Sequence, residues 1–332
     1  MDVRTTAEAI LAILACGEGI LSPNLQYASD FLLTSFKNEE RGGSWGSELW
    51  DTALAIRALH QLAPKGAECI DRAFEWIWTK QLSDGSFDGE PWDTLFVTIV
   101  ALELGKIEQV STALNWLLGL QAQTGCFISK HYTGLFCQAL GRAIDLEPIS
   151  AQHSKLQQAA IRAIHFMWDN YDELNLWTGG TWTNAYIIQG LLSLRHPQLL
   201  GQHDNILEWY RRRQLDTGVW DDCVRTAIVL QALVELKVAF QLERCSQKPL
   251  QTFTFDFVSK TTRSEVLQII QSRVTKAPII RSRKFIEKDE SGDVIITLTP
   301  ERKMYAGIGV SVLAGLWWAF QNWALIRHFL FR

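Results

Sequence analysis

The feature that most constrains this chain is a repeat. In RAFEWIWTKQLSDGSF, residues 72–87, the set Trp76, Gln81, Gly85 and Phe87 recurs at identical spacing as Trp116, Gln121, Gly125 and Phe127, and again as Trp209, Gln214, Gly218 and Trp220. Two looser copies fit once short insertions are allowed: Phe31, Phe36, Gly43 and Trp45, and Phe166, Tyr171, Gly180 and Trp182. The closing aromatics then fall at 45, 87, 127, 182 and 220, a period of roughly 40 residues that belongs to repeat architectures.

Each repeat offers two helices. The first carries the aromatic and the glutamine and is expected near 25–36, 68–81, 109–121, 154–171 and 203–214; a glycine-containing turn follows it. The second is expected near 51–62, 93–105, 132–144, 184–195 and 224–240. An additional helix over 5–16 has Thr5 or Thr6 as a candidate N-cap. The second helices, such as LFVTIVALEL and TAIVLQALVEL, are apolar nearly all round and so should be buried on both sides. An amphipathic outer set around a buried inner set describes a mainly α chain, with about five to six helical hairpins closed into an α/α toroid over 1–247.

After residue 247 the pattern changes. TFTFDFV alternates as a strand, SEVLQIIQSRV reads as a helix, and KFIEKD and DVIITLT flank Glu290-Ser291-Gly292 as a hairpin, which makes 248–300 a small β-α-β-β module suited to a protein partner. Residues 305–326 then carry no charge. As a helix they would reach about 33 Å, the thickness of a bilayer core. Arg302, Lys303, Arg327 and His328 flank the segment, and Trp317, Trp318 and Trp323 suit an interfacial belt. A single-pass anchor over 304–328 is expected, with the toroid on the cytoplasmic side because the N-terminus lacks the pattern of a secretory signal.

The formal charge of −4 is mild, and Arg211-Arg212-Arg213 reads as a solvated helix face, so no nucleic-acid partner is expected. Six cysteines without paired spacing read as reduced core residues.

The unit Arg72-Ala73-x-x-Trp76-Ile77-x-x-x-Gln81-x-x-x-Gly85-x-Phe87 resembles the QW motif of the terpenoid cyclase and protein prenyltransferase superfamily. Arg162-Ala163-Ile164-His165-Phe166 repeats its front half, and the resemblance covers about residues 25–240. The motif residues are structural staples: the glutamine satisfies backbone groups and the aromatic buries area between hairpins.

The resemblance implies that chemistry, where present, lies in the barrel cavity at the start of the inner helices. Cyclases of this superfamily protonate an alkene with Asp-x-Asp-Asp, whose middle aspartate is the acid. Here the matching positions read Glu48-Leu49-Trp50-Asp51 and Glu90-Pro91-Trp92-Asp93, so the outer acids persist while tryptophan replaces the proton donor. Glu48, Asp51, Glu90 and Asp93 are the catalytic candidates; for Asp51 and Asp93 the helix-start signature favours instead a role as N-caps of the apolar helices that follow. Prenyltransferase subunits hold zinc with Asp-x-Cys and a distant histidine. Asp221-Asp222-Cys223 supplies the pair, and only His131 could complete it, out of the family order; otherwise no cofactor is expected. Around the same rim Trp50, Trp92, His131, Tyr132, Tyr186, Asp221 and Arg225 are candidates for binding a hydrophobic or isoprenoid-like small molecule. The expected function is a membrane-tethered toroid that binds such a ligand or a protein partner without the superfamily's chemistry. The alternative is an enzyme acting on an isoprenoid or lipid substrate in the cavity.

Overall fold

The structure, a computed structural model, describes residues 2–246 apart from 21, 39, 41, 47, 63–65 and 147–150, and also 287–288 and 294–295. The described residues are mainly helical. Helix α1 (Val3–Ala15) opens at Asp2, whose carboxylate accepts the Thr5 backbone N–H at 2.8 Å, so the cap is Asp2 rather than Thr5 or Thr6. Then follow α2 (Pro23–Ser35), α3 (Leu49–Leu62), α4 (Ala67–Trp78), α5 (Pro91–Glu103) and α6 (Ile107–Leu120). Next come α7 (Lys130–Leu146), α8 (Ala151–Asp169), α9 (Thr181–Ser193), the single turn and a half of α10 (Pro197–Gly201), α11 (His203–Arg213) and α12 (Cys223–Ser246). Apart from α10, each helix matches an expected one, with ends shifted by a few residues.

The helices sort into two sets by packing. Helix α3 lies against α1 and α5, α5 against α7, α7 against α9, α9 against α12, and α12 returns to α1. The inner helices are buried nearly all round: every residue from Thr94 to Leu102 in α5 and from Asn184 to Leu191 in α9 is buried. Helices α2, α4, α6, α8 and α11 pack outside this cycle, each against the inner helix that precedes it, the one that follows it, or both. Toward the C-terminal ends of the inner helices, Glu103 lies between Arg57 (2.8 Å) and Arg142, which ties α3, α5 and α7 together.

The repeat explains the outer-to-inner turns. Gln81 Nε2 donates to the Gly85 carbonyl at 3.1 Å and to Thr112 Oγ1 of α6 at 3.1 Å. Gln121 Nε2 does the same to the Gly125 carbonyl and to the Ala159 carbonyl of α8. Gly85 and Gly125 have φ of +95° and +92°, and a Cβ on either would sit on the backbone of the next outer helix, at Thr112 and Arg162. In these two turns the glutamine and the glycine therefore fasten the turn to the following hairpin.

The closing aromatics Trp45, Phe87, Phe127 and Trp220 are fully buried. In the fourth repeat the structure corrects the expectation. Trp177, not Trp182, is the closing aromatic. Asp172 N–H donates to the Leu176 carbonyl just as Leu82 does to Ser86 and Ala122 to Cys126, which puts Trp177 in register with Phe87 and Phe127. The turn at Asp172–Leu176 is tight, and the glycines after it belong to the approach to α9.

One anchor recurs in all five turns. The backbone N–H of each closing aromatic donates to a buried side chain in the first turn of the next inner helix: Trp45 to Thr52 Oγ1, Phe87 to Thr94 Oγ1, Phe127 to Thr133 Oγ1, Trp177 to Asn184 Oδ1 and Trp220 to Thr226 Oγ1, at 2.9–3.3 Å.

Strands β1 (Lys37–Asn38) and β2 (Gly43–Ser44) form a hairpin in the first repeat. Beyond the helices, β3 (Glu287–Lys288) pairs antiparallel with β4 (Val294–Ile295), the pairing expected of KFIEKD and DVIITLT. The rest of 248–300 and the segment 304–328 lie outside the described residues. Among the described residues no helix is long and apolar enough to cross a membrane. Of the cysteines described, only Cys137 is a buried core residue; Cys223 is exposed.

Candidate functional site

The anchor gives the inner helices a common register, and the rim residues fall on it. Two residues before the anchor stand Trp50, Trp92, His131 and Trp182; one residue before it stand Asp51, Asp93, Tyr132 and Arg225. Equivalent positions on successive helices are thereby aromatic, and they meet. Trp92 is the hub: its ring lies 6.2 Å from Trp50, 6.2 Å from His131, 5.4 Å from Tyr132 and 6.1 Å from Tyr186, centroid to centroid. Trp182 joins through His131 at 5.4 Å and Tyr186 at 5.9 Å. Most of these contacts are edge-to-face, the arrangement that aromatic quadrupoles prefer.

The tryptophans of this cluster are half-buried, whereas Tyr186 and Phe96, one turn deeper, are buried. Phe96 packs 5.0 Å from Trp92 and 6.3 Å from Tyr186, so these two rings close the axis beneath the rim. Below them lies a cavity of about 10 Å³ with residues from all six inner helices in its wall, enough for roughly one water.

Two cations already lie on the outer rings. The Arg4 guanidinium sits 4.0 Å from the Trp50 ring and that of Arg225 is 5.9 Å from Trp182. Sequence reasoning does not single out Arg4 or Phe96, because α1 carries no QW unit and Phe96 reads as one more core residue. Nor does it place Trp182 on the rim, since that residue reads as part of the turn. The anchor side chain, six or seven residues after each closing aromatic and Asn184 in the fourth repeat, is the signal that puts Trp182 there.

The carboxylates divide into two kinds. Glu48 and Glu90 are exposed; Glu90 is the N-cap residue of α5 and makes no side-chain cap bond. Asp51 and Asp93 are half-buried in the first turns of α3 and α5. Neither caps its own helix, contrary to expectation, because both helices start two residues earlier than expected. Asp93 instead reaches across to α3, where Oδ1 accepts the Trp50 backbone N–H at 3.1 Å. Asp51 Oδ1 is buried without a hydrogen-bond partner among the described residues.

Both acids are pushed up to about 6. Burial is the main cause for each; Arg4 opposes it at Asp51 and the Trp50 N–H at Asp93, while the nearby Glu48 charge raises both.

The residues suggested for zinc are not gathered. Asp221 is exposed with φ +70°, accepts from Thr181 Oγ1 at 3.2 Å and lies 3.7 Å from Arg225. Asp222 accepts the Arg225 backbone N–H at 2.8 Å and so caps the start of α12. His131 Nδ1 is 3.0 Å from Ser129 Oγ, and burial holds its imidazole below the usual range. Among the described residues no three His, Cys, Asp or Glu side chains are placed to hold a metal ion.

No protein-family model matches the chain, and no curated protein matches it.

Proposed function

We propose that this chain is a divergent α/α toroid of the terpenoid cyclase and prenyltransferase kind, tethered to a membrane by 304–328. It binds an apolar or isoprenoid-like molecule on its aromatic rim without the superfamily's chemistry. The cycle of inner-helix contacts, with an outer helix at each hairpin, supports the toroid. The observation that carries the ligand reading is the half-buried aromatic cluster of Trp50, Trp92, His131, Tyr132 and Trp182, built at equivalent positions of successive repeats and edged by carboxylates. A half-buried cluster of rings this size offers apolar area and ring faces to a ligand.

Two features weigh against catalysis in the cavity. A ligand pocket of drug size needs roughly 300 Å³ or more, whereas the axis holds about 10 Å³. Alkene protonation needs an unusually strong acid, and carboxyls pushed up to about 6 are weaker acids than ordinary aspartates. The second reading, an acid-base enzyme using Asp51 or Asp93, draws on the same raised values, which suit proton transfer near neutral pH. The module at 248–300 would couple the ring to a protein partner.

The test is incubation of the full chain with squalene and with prenyl diphosphates. The proposal expects rim tryptophan fluorescence to change on addition and the added molecule to be recovered intact. Conversion of either substrate, lost in Asp93→Asn while the melting temperature holds, would establish the second reading instead.

A further inference from the structure

The anchor register also defines a deeper layer. Five residues after each anchor stand Arg57, Ile99, Gln138, Gln189 and Gln231, and α1 adds Glu8 beside them. All six line the cavity of about 10 Å³ on the axis. Three glutamines, an arginine and a glutamate in the middle of a buried helical cycle are costly unless their polar groups are satisfied. Part of the layer is satisfied: Gln231 Nε2 donates to Glu8 Oε2 at 2.8 Å, and Arg57 Nε donates to Glu103. Gln138 is 2% exposed, yet its Nε2 has no hydrogen-bond partner among the described residues. It lines a space of about one oxygen atom's size.

We propose that this axial layer is a hydroxyl-binding site: it takes one O–H group that accepts from Gln138 Nε2 and donates to a carboxyl or amide oxygen of the other residues lining the cavity. The cavity has the room for one such group, and the layer offers both the donors and the acceptors that an O–H group needs. The group has two sources, a water in the empty protein or the alcohol head of a ligand held by the rim. Phe96 and Tyr186 line the cavity and also pack in the rim cluster, so the two sites share a wall that is two rings thick. For an apolar molecule on the rim to place a terminal hydroxyl in the layer, those two rings must turn aside, and the hydroxyl then displaces the water. This rests on the rim reading of the ligand and adds to it a chemical class, an isoprenoid-like alcohol rather than a hydrocarbon.

The experiment uses the full chain in detergent and two probes that differ in one group, farnesol and farnesene, with binding followed by tryptophan fluorescence. Wild type is expected to bind farnesol at least tenfold more tightly than farnesene. Gln138→Leu is expected to reduce farnesol to the farnesene level and leave farnesene unchanged. Equal binding of both probes by wild type overturns the alcohol class while leaving the rim reading intact, and needs no variant to fold. Binding of neither probe overturns the rim reading. A high-resolution crystal structure of the ligand-free chain then decides the water: an ordered oxygen within hydrogen-bond distance of Gln138 Nε2 supports the site, and a dry axis overturns it.

Discussion

Asp93 Oδ1 accepts the backbone N–H of Trp50 at 3.1 Å, so a carboxylate in the first turn of α5 closes the N-terminus of α3, one hairpin back. A residue that the sequence offers as a catalytic candidate is thereby part of the bond between neighbouring repeats. Removing the acceptor with Asp93→Ala should cost about 1 kcal/mol, the usual worth of a helix-terminal cap. Asp93→Asn keeps an oxygen there and should cost less. Thermal melts of the two variants side by side at about pH 4, where the Asp93 carboxyl is protonated and its charge adds no penalty, check this.

Asp51 and Asp93 also set a pH dependence. Each is held at about 6 in the folded chain against a reference of 3.8, so the folded state binds these protons more tightly than the unfolded one. The stability they contribute is complete below about pH 4 and is lost as pH rises through about 6. Both are half-exposed and screened, so the loss should be about 1 kcal/mol per group rather than the full shift. Melting temperature measured from pH 4 to 7.5 should fall across this window, and Asp51→Asn should flatten the fall and raise the value at pH 7.5.

The glycine of the repeat turn should be irreplaceable, whereas a neighbouring glycine should not. Gly125 has φ +92° and a Cβ there would meet the Arg162 backbone; a Cβ on Gly119, inside α6, would have nothing within 4 Å. Gly125→Ala should lower stability by about 2 kcal/mol or more, and Gly119→Ala should raise it by up to about 1 kcal/mol. Urea midpoints for the two variants give the comparison.

Thr94 joins the closing aromatic to the inner helix. Its Oγ1 accepts from the buried Phe87 N–H at 2.9 Å and donates to the Glu90 carbonyl at 2.8 Å. Thr94→Val leaves a buried N–H unpaired and should cost about 2 kcal/mol. Thr94→Ser keeps the oxygen and should recover most of that in the same denaturation series.

How much of this is legible in the sequence depends on what a residue does. The three regular copies around Trp76, Trp116 and Trp209 reveal helices, turns and glycine positions, because a staple that fastens each hairpin to the next must recur at fixed spacing. Trp182 is hard to place because the fourth turn closes over Asp172–Leu176 without a glycine at the usual point, and Gly180 mimics the missing one. The anchors at Thr52, Thr94, Thr133, Asn184 and Thr226 are inconspicuous, since threonine at a helix start already has a local explanation. The rim aromatics are legible as a group, but their filling of the axis is not. Whether apolar helices enclose a cavity or pack shut is decided by side chains such as Phe96 and Tyr186, which read identically in either case.

The measurement that bears most directly on the central claim is native mass spectrometry of the full chain, purified without added ligand, beside the Trp50→Ala, Trp92→Ala double variant. A rim-bound apolar molecule predicts an adduct of constant mass on the wild type that is missing from the double variant, with both proteins folded by circular dichroism. A wild type with no adduct, or an adduct that persists when both tryptophans are gone, would contradict it.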